Sequence, residues 1–196
     1  MEERTVNIYF RCLRNVHRHT YDAARLLLTL YAIRDAGSGP PSFDPPTRLE
    51  TDQFVVRPLT IADAEQDYTA VVDSRDRVEG IFGPSSEWPP ADLTLAQNRV
   101  DVAWHHKEFQ RRDAFTYTVV DPKDTVEFGC CYIQPTKHSA YDAAVYFWVS
   151  DSGVDNDLAG PIETWLRAWI TTRWPFEGVA YPGRDIQWSD WELQLE

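Results

Sequence analysis

Lysine is nearly absent from this chain. Of its 19 basic residues only Lys107, Lys123 and Lys137 are lysines, against 31 acids, and the formal net charge is −12. The first 48 residues carry seven arginines and five acids, so the remainder holds −14. A region that acidic lacks the cationic patch on which nonspecific nucleic-acid binding depends. Cysteine is scarce as well. Cys12, Cys130 and Cys131 are the only three, too few for a disulfide framework, and a reducing, cytoplasmic setting is expected. Long apolar runs are missing. Leu26-Leu27-Leu28 lies between Arg25 and Arg34, far short of the roughly 20 residues of a membrane span, so no membrane partner is expected. The N-terminus has no apolar core of a secretory signal. Walker-type, G-x-S-x-G and HExxH motifs are absent.

No metal site is expected. Cys130 and Cys131 have no CxxC spacing or histidine neighbour, and on a strand adjacent side chains point to opposite faces. His105 and His106 are adjacent, about 100° apart on a helix, and read as a surface face. His17 and His19 read likewise.

Aromatic residues are abundant, with eight tryptophans, and several fall between Tyr141 and Phe176. A core is therefore expected there. The N-terminal 48 residues read as an extension: a candidate helix over 21–36, then a linker over 37–46 with four prolines in ten residues. The extension is either loosely attached or a helix that packs on the domain or on a second copy. The domain itself is assigned to 49–196.

Within it, Phe54 to Leu59 reads as a strand ended by Pro58, and Thr60 with Asp63 as a near capping box opening a helix over 61–73. Ile61, Ala64, Tyr68, Val71 and Val72 fall on one face of it. The Gly- and Pro-rich loop over 74–90 carries Ile81, Phe82 and Trp88, and should fold back on the domain. A helix spans 92–112. Phe115–Val120 and Val126–Ile133 alternate about the turn Asp121-Pro122-Lys123-Asp124, which predicts a β-hairpin. Ala144–Val149 reads as a buried strand, with Tyr146 and Trp148 opposite Val145, Phe147 and Val149. A polar loop over 150–157 and a helix from Leu158 follow. Phe176 to Tyr181 is the last strand. The fold class is α/β (α+β), mixed and mostly antiparallel, with one parallel join across the last helix.

A strand, a loop and a helix N-terminus in succession form a general anion-holding device, because the first helical N–H groups have no partner within the helix. The stretch from Ala143 to Trp174 has that order. Together with Phe54-Val55-Val56-Arg57-Pro58-Leu59-Thr60 and Asp63, and with the Gly129-containing hairpin, it resembles the GNAT-type N-acetyltransferase superfamily over about residues 50–182. The resemblance implies a sheet flanked by helices with a splayed central strand pair. Acyl-CoA would lie in that gap, and the turn into the helix would hold its pyrophosphate. On that basis Phe147, Val149, Asn156, Ala159 and Gly160 are the cofactor-binding candidates for acetyl-CoA, and Tyr141, Asp142 and Glu163 the catalytic candidates, with His138 nearby.

The implied activity is transfer of an acetyl group from acetyl-CoA to an amine of a small molecule or peptide. The alternative is a GNAT-fold binding or assembly module that has lost CoA. The acidic turn, with Asp155 and Asp157 where the family has a basic residue, and the short stretch after Tyr181 favour the alternative, while the strand-loop-helix and the aromatic loop over 81–90, a candidate substrate wall, favour the transferase. The family's members often pair, so a homodimer through the Trp-rich C-terminal stretch is a candidate assembly.

Overall fold

The computed structural model describes residues 43–193. Cys12, His17, His19, the helix expected over 21–36 and most of the linker lie outside them. Six strands form one sheet in chain order: β1 (Leu49–Glu50), β2 (Val55–Pro58), β3 (Phe115–Val120), β4 (Glu127–Pro135), β5 (Ala143–Val149) and β6 (Val179–Ala180). Neighbours are antiparallel except β5 and β6, which are parallel. The helices are α1 (Ala64–Asp73), α2 (Arg75–Val78), α3 (Leu95–Arg111), α4 (Asp151–Asp155), α5 (Ala159–Arg173) and α6 (Trp188–Leu193). The sheet is mixed and mostly antiparallel and is flanked by helices, as expected from the sequence.

Strand alternation divides the core between two layers. Phe115, Tyr117, Val119, Cys131, Ile133, Val145 and Phe147 pack with Ile162, Leu166, Trp169 and Ile170 of α5. Cys130, Tyr132 and Trp148 face the other way, against Ala64 and Val71 of α1 and Val102 of α3. The two adjacent cysteines therefore part as their spacing requires, and so do Tyr146 and Phe147.

The hairpin closes where expected, with an irregularity. Val119 pairs with Gly129 and Val120 with Glu127, so Phe128 is extra. Such a bulge changes which residues share a face. It brings Glu127 and Cys130, three apart, to the same side, where their side chains meet.

Thr60 and Asp63 do form the capping box. The helix, however, starts as a 3-10 turn over Ile61–Asp63, and α1 proper begins at Ala64. The change of phase leaves Ile61 47% exposed rather than on the buried face. The loop over 74–90 contains α2 and folds back as expected. Phe82 packs edge-on to Trp88, Tyr132 and Tyr146. His105 is half-buried, its ring against Tyr132, not on a fully exposed face.

Three further departures occur. The polar loop after β5 contains α4, capped by Ser150, whose Oγ accepts from Gly153 N–H at 3.2 Å and donates to the Glu127 carbonyl at 2.9 Å. The last strand shrinks to two residues, and the tail carries α6. The end of the linker is docked: the Phe43 ring packs at a tilt against Trp174, centroids 5.0 Å apart, its carbonyl accepts from Arg112, and Pro45 is buried.

Candidate functional site

The parallel pair opens early. β6 pairs only through Ala143–Val179 and Ala144–Ala180, while β5 runs on to Val149. The strand carbonyls beyond Ala144 on that side need other partners. This gap is where the family resemblance places acyl-CoA as an expectation.

Here the chain's own C-terminal segment lies against it. After β6 the backbone turns over Tyr181–Ile186, with Gly183 at φ +75° and its N–H bonded to the Ile186 carbonyl at 2.8 Å. The turn directs Arg184 at β5. Its Nη2 donates to the Phe147 carbonyl at 3.1 Å, and its guanidinium lies 3.8 Å over the Phe147 ring. Nη1 donates to Glu163 Oε2 at 3.0 Å. Arg167 extends the network: it bonds Glu163 at 2.9 Å and Asp185 at 2.8 and 3.0 Å, and lies 4.2 Å over the Tyr181 ring. Burial pushes the Arg184 guanidinium below its ordinary value, although Glu163 and Asp185 oppose that. On the other face of β5, Trp188 stacks parallel to Tyr146 at 6.3 Å. It sits so close to the turn that a Cβ on Gly183 would come within 2.6 Å of its Nε1. The segment thus clasps β5 from both faces.

The turn from β5 into α5 is also internally bonded. Ser150 N–H donates to the Phe128 carbonyl, Asp151 N–H to Ser74 Oγ, Val154 N–H to the Ser150 carbonyl and Asn156 N–H to the Ser152 carbonyl. Asp157 N–H reaches the Val154 carbonyl and Leu158 N–H the Gly153 carbonyl. An anion cradle works by pointing such groups outward. Asp157 adopts φ +57°, the left-handed conformation for which glycine is the usual residue. The turn thus places an acidic side chain at a left-handed position.

The site residues expected from sequence are dispersed. Asp142 precedes β5, and its carboxylate accepts the N–H groups of Glu177 and Gly178 at 2.7 and 2.9 Å. Those bonds hold its pKa below the usual carboxylate range. Tyr141 packs against His138 and Trp191. Glu163 belongs to the arginine network near the far end of β5. At about 3.3 Å per residue, the strand separates it from Tyr141 and Asp142 by roughly 15–20 Å. Phe147 and Val149 belong to the core layer under α5. The Asn156 amide donates to the Ser152 carbonyl at 2.8 Å. Ala159 and Gly160 form the first turn of α5, and a Cβ on Gly160 would meet nothing within 4 Å, so no close backbone approach requires a glycine there.

Arg184, Arg167 and Trp188 were not among the expected residues. The one sequence signal was Gly183 preceding an arginine in a short segment after the last strand.

No protein-family model matches the chain, and no curated protein matches it in sequence. Solved structures do match in fold. A putative ribosomal-protein-serine acetyltransferase from Vibrio cholerae superposes with TM-score 0.50 at 15% identity, covering 67% of this chain and 70% of that one. A putative GNAT-family acetyltransferase from Bordetella pertussis gives TM-score 0.47 at 20% identity, covering 63% and 71%. The ribosomal-protein-S5-alanine acetyltransferase from Vibrio fischeri gives 0.46 at 15%, covering 63% and 68%.

Proposed function

We propose that this chain is a GNAT-fold amine-binding module in which the donor half of acetyl transfer is closed. One observation carries the reading: Arg184 bonds the Phe147 carbonyl in the gap beside β5, where pantetheine would pair. The internally bonded turn and its acids Asp155 and Asp157 support it, since carboxylates beside a pyrophosphate oppose binding by about 1 kcal/mol each in a screened site. The packing of Phe82 against Trp88 and Tyr146 supports an aromatic acceptor wall. Aromatic faces attract cationic amines, and the net charge of −12 favours the same ligands. An amine of a small molecule or peptide is the ligand class.

A thermal-unfolding titration with acetyl-CoA tests this. A micromolar site at millimolar ligand would stabilise the chain by about 4 kcal/mol; the expected result is no shift, and a shift of that size overturns the reading. The second reading is acetyl transfer from acetyl-CoA to such an amine. The early divergence of β6 from β5 favours it. Its signature is acetyl-CoA binding by the unsubstituted chain that strengthens in Arg184→Ala, as the strand carbonyl is released.

A further inference from the structure

Away from that cleft, on the α1–α3 face of the sheet, three ligating side chains meet without solvent. Asp67 of α1 is 5% exposed, Glu127 of β4 2% and Cys130 of β4 0%. Their ligand atoms all lie within 4.8 Å of one another. Cys130 Sγ is 3.1 Å from Glu127 Oε1 and 3.7 Å from Asp67 Oδ1. A tetrahedral zinc ion with bonds of about 2.0–2.3 Å holds its ligand atoms roughly 3.3–3.8 Å apart, so these spacings bracket the requirement.

The hydrogen-bond donors do not match the acceptors. Asn98 Nδ2 donates to Asp67 Oδ2 at 2.7 Å and also to the Ala64 carbonyl at 3.1 Å. The Cys130 thiol has one proton for two carboxyls. Glu127 Oε2 has no hydrogen-bond partner. The Thr118 hydroxyl, fully buried and directly opposite Cys130 in the β3–β4 ladder, has none either. It bears on the Glu127 carboxyl without a bond of regular geometry. A buried, unpaired acceptor costs about 1–3 kcal/mol, and more when charged. A proton shared between the carboxyls removes one charge, but leaves a carboxylate buried beside a thiol.

From this arrangement we infer a structural divalent-cation site, of the zinc class, formed by Asp67, Glu127 and Cys130 with Thr118 Oγ as the fourth ligand. One sulfur and several oxygens suit a borderline-soft ion. Full burial makes the site closed, as structural zinc sites are. The bulge at Phe128 is what brings Glu127 and Cys130 to one side, so the site ties α1 to the irregular point of the sheet. Asn98 orients Asp67 from outside the ligand set.

The full chain, purified without chelator, is expected to retain one zinc ion per molecule by elemental analysis. After chelator treatment, cadmium should produce a thiolate charge-transfer band. That band should persist in Cys12→Ser and Cys131→Ala, whose Cys131 faces the opposite layer, and disappear in Cys130→Ser. Glu127→Gln should weaken cadmium binding at least tenfold. Absence of any band with a folded, stripped chain, or a band that survives Cys130→Ser, overturns the site in favour of a shared proton. Should Cys130→Ser fail to fold, X-ray absorption on the unsubstituted zinc-bound chain decides: one sulfur among oxygen ligands is expected, and a sulfur-free shell or no retained zinc overturns the inference.

Discussion

The Arg184 guanidinium lies over the Phe147 ring at 3.8 Å while donating to the same residue's carbonyl at 3.1 Å. One side chain thereby covers both the face and the backbone edge of β5 beyond its short pairing with β6. The interaction joins residues 37 apart, and its geometry depends on the Gly183 turn.

Replacing Arg184 by alanine removes the carbonyl's partner, the ring contact and the Glu163 ion pair together. A charged hydrogen bond contributes about 1.5–3 kcal/mol and a partly desolvated cation–π contact about 1. These are discounted because Arg184 and Glu163 are each about a third exposed. Arg184→Ala is expected to lower stability to urea by about 1–3 kcal/mol. Arg184→Lys should recover less than half of it, because an ammonium cannot bond carbonyl and carboxylate with one planar fork. Full recovery by lysine would show that charge alone matters.

Much of this architecture was legible locally. The β3–β4 hairpin follows from alternation around a Pro-containing turn, and the opening of α1 from Thr60 and Asp63. Cys130 and Cys131 part because a strand has a period of two. The clasp on β5 and the buried carboxyl cluster were not legible. Asp67 reads as an ordinary polar helix position, and only the packing of α1 between β4 and α3 buries it. Its contact with Cys130 spans 63 residues. The short helix α4 escaped notice because five residues containing a glycine show no period.

Asp63 gives a pH-dependent prediction. Burial raises its pKa, but hydrogen bonds from Arg57 and from the Thr60 N–H and hydroxyl outweigh burial and hold it below the usual carboxylate range. The Arg57 bonds are 2.7 and 2.9 Å, and the Thr60 bonds 2.7 and 2.8 Å. A carboxyl whose folded pKa lies below its unfolded value of about 3.9 contributes stability above that pH. The contribution is lost as pH falls through the folded value. Asp63→Asn is therefore expected to be less stable than the unsubstituted chain by about 1–2 kcal/mol at pH 7, with the gap narrowing as pH falls below the ordinary carboxylate range. Urea denaturation across that range measures it. A gap that stays constant would remove ionisation from the account.

Gly129 sits in the bulge at φ +151°, where an added Cβ would come within 2.0 Å of the Trp148 carbonyl oxygen. That oxygen is backbone and belongs to the adjoining strand, so no side chain can move aside. Gly129→Ala should cost about 3 kcal/mol or more, through strain and lost ladder bonds. Gly160→Ala, with open space around it, is the control and should be neutral or slightly stabilising, since alanine restricts the unfolded chain. Equal effects at both positions would refute the steric assignment.

Trp174 joins the N-terminal segment to the sheet. Its ring lies 5.0 Å from both Phe43 and Phe115, 5.5 Å from Phe176 and 5.7 Å from Trp169. Phe43 precedes the first strand, so residues 43–48 should behave as part of the domain. Phe43→Ala should cost about 1–2 kcal/mol, less than the 3–5 typical of a fully buried aromatic because its ring is only half-buried. Trp174→Ala should cost about 3–5 kcal/mol. If the two rings act as one unit, the double substitution costs less than the sum of the singles by about 0.5–1.5 kcal/mol, the coupling of an aromatic pair. Strict additivity in a double-mutant cycle would mean that Phe43 only rests on the surface. Deleting residues 1–47 would then leave stability unchanged, whereas a docked segment makes that deletion cost at least as much as Phe43→Ala.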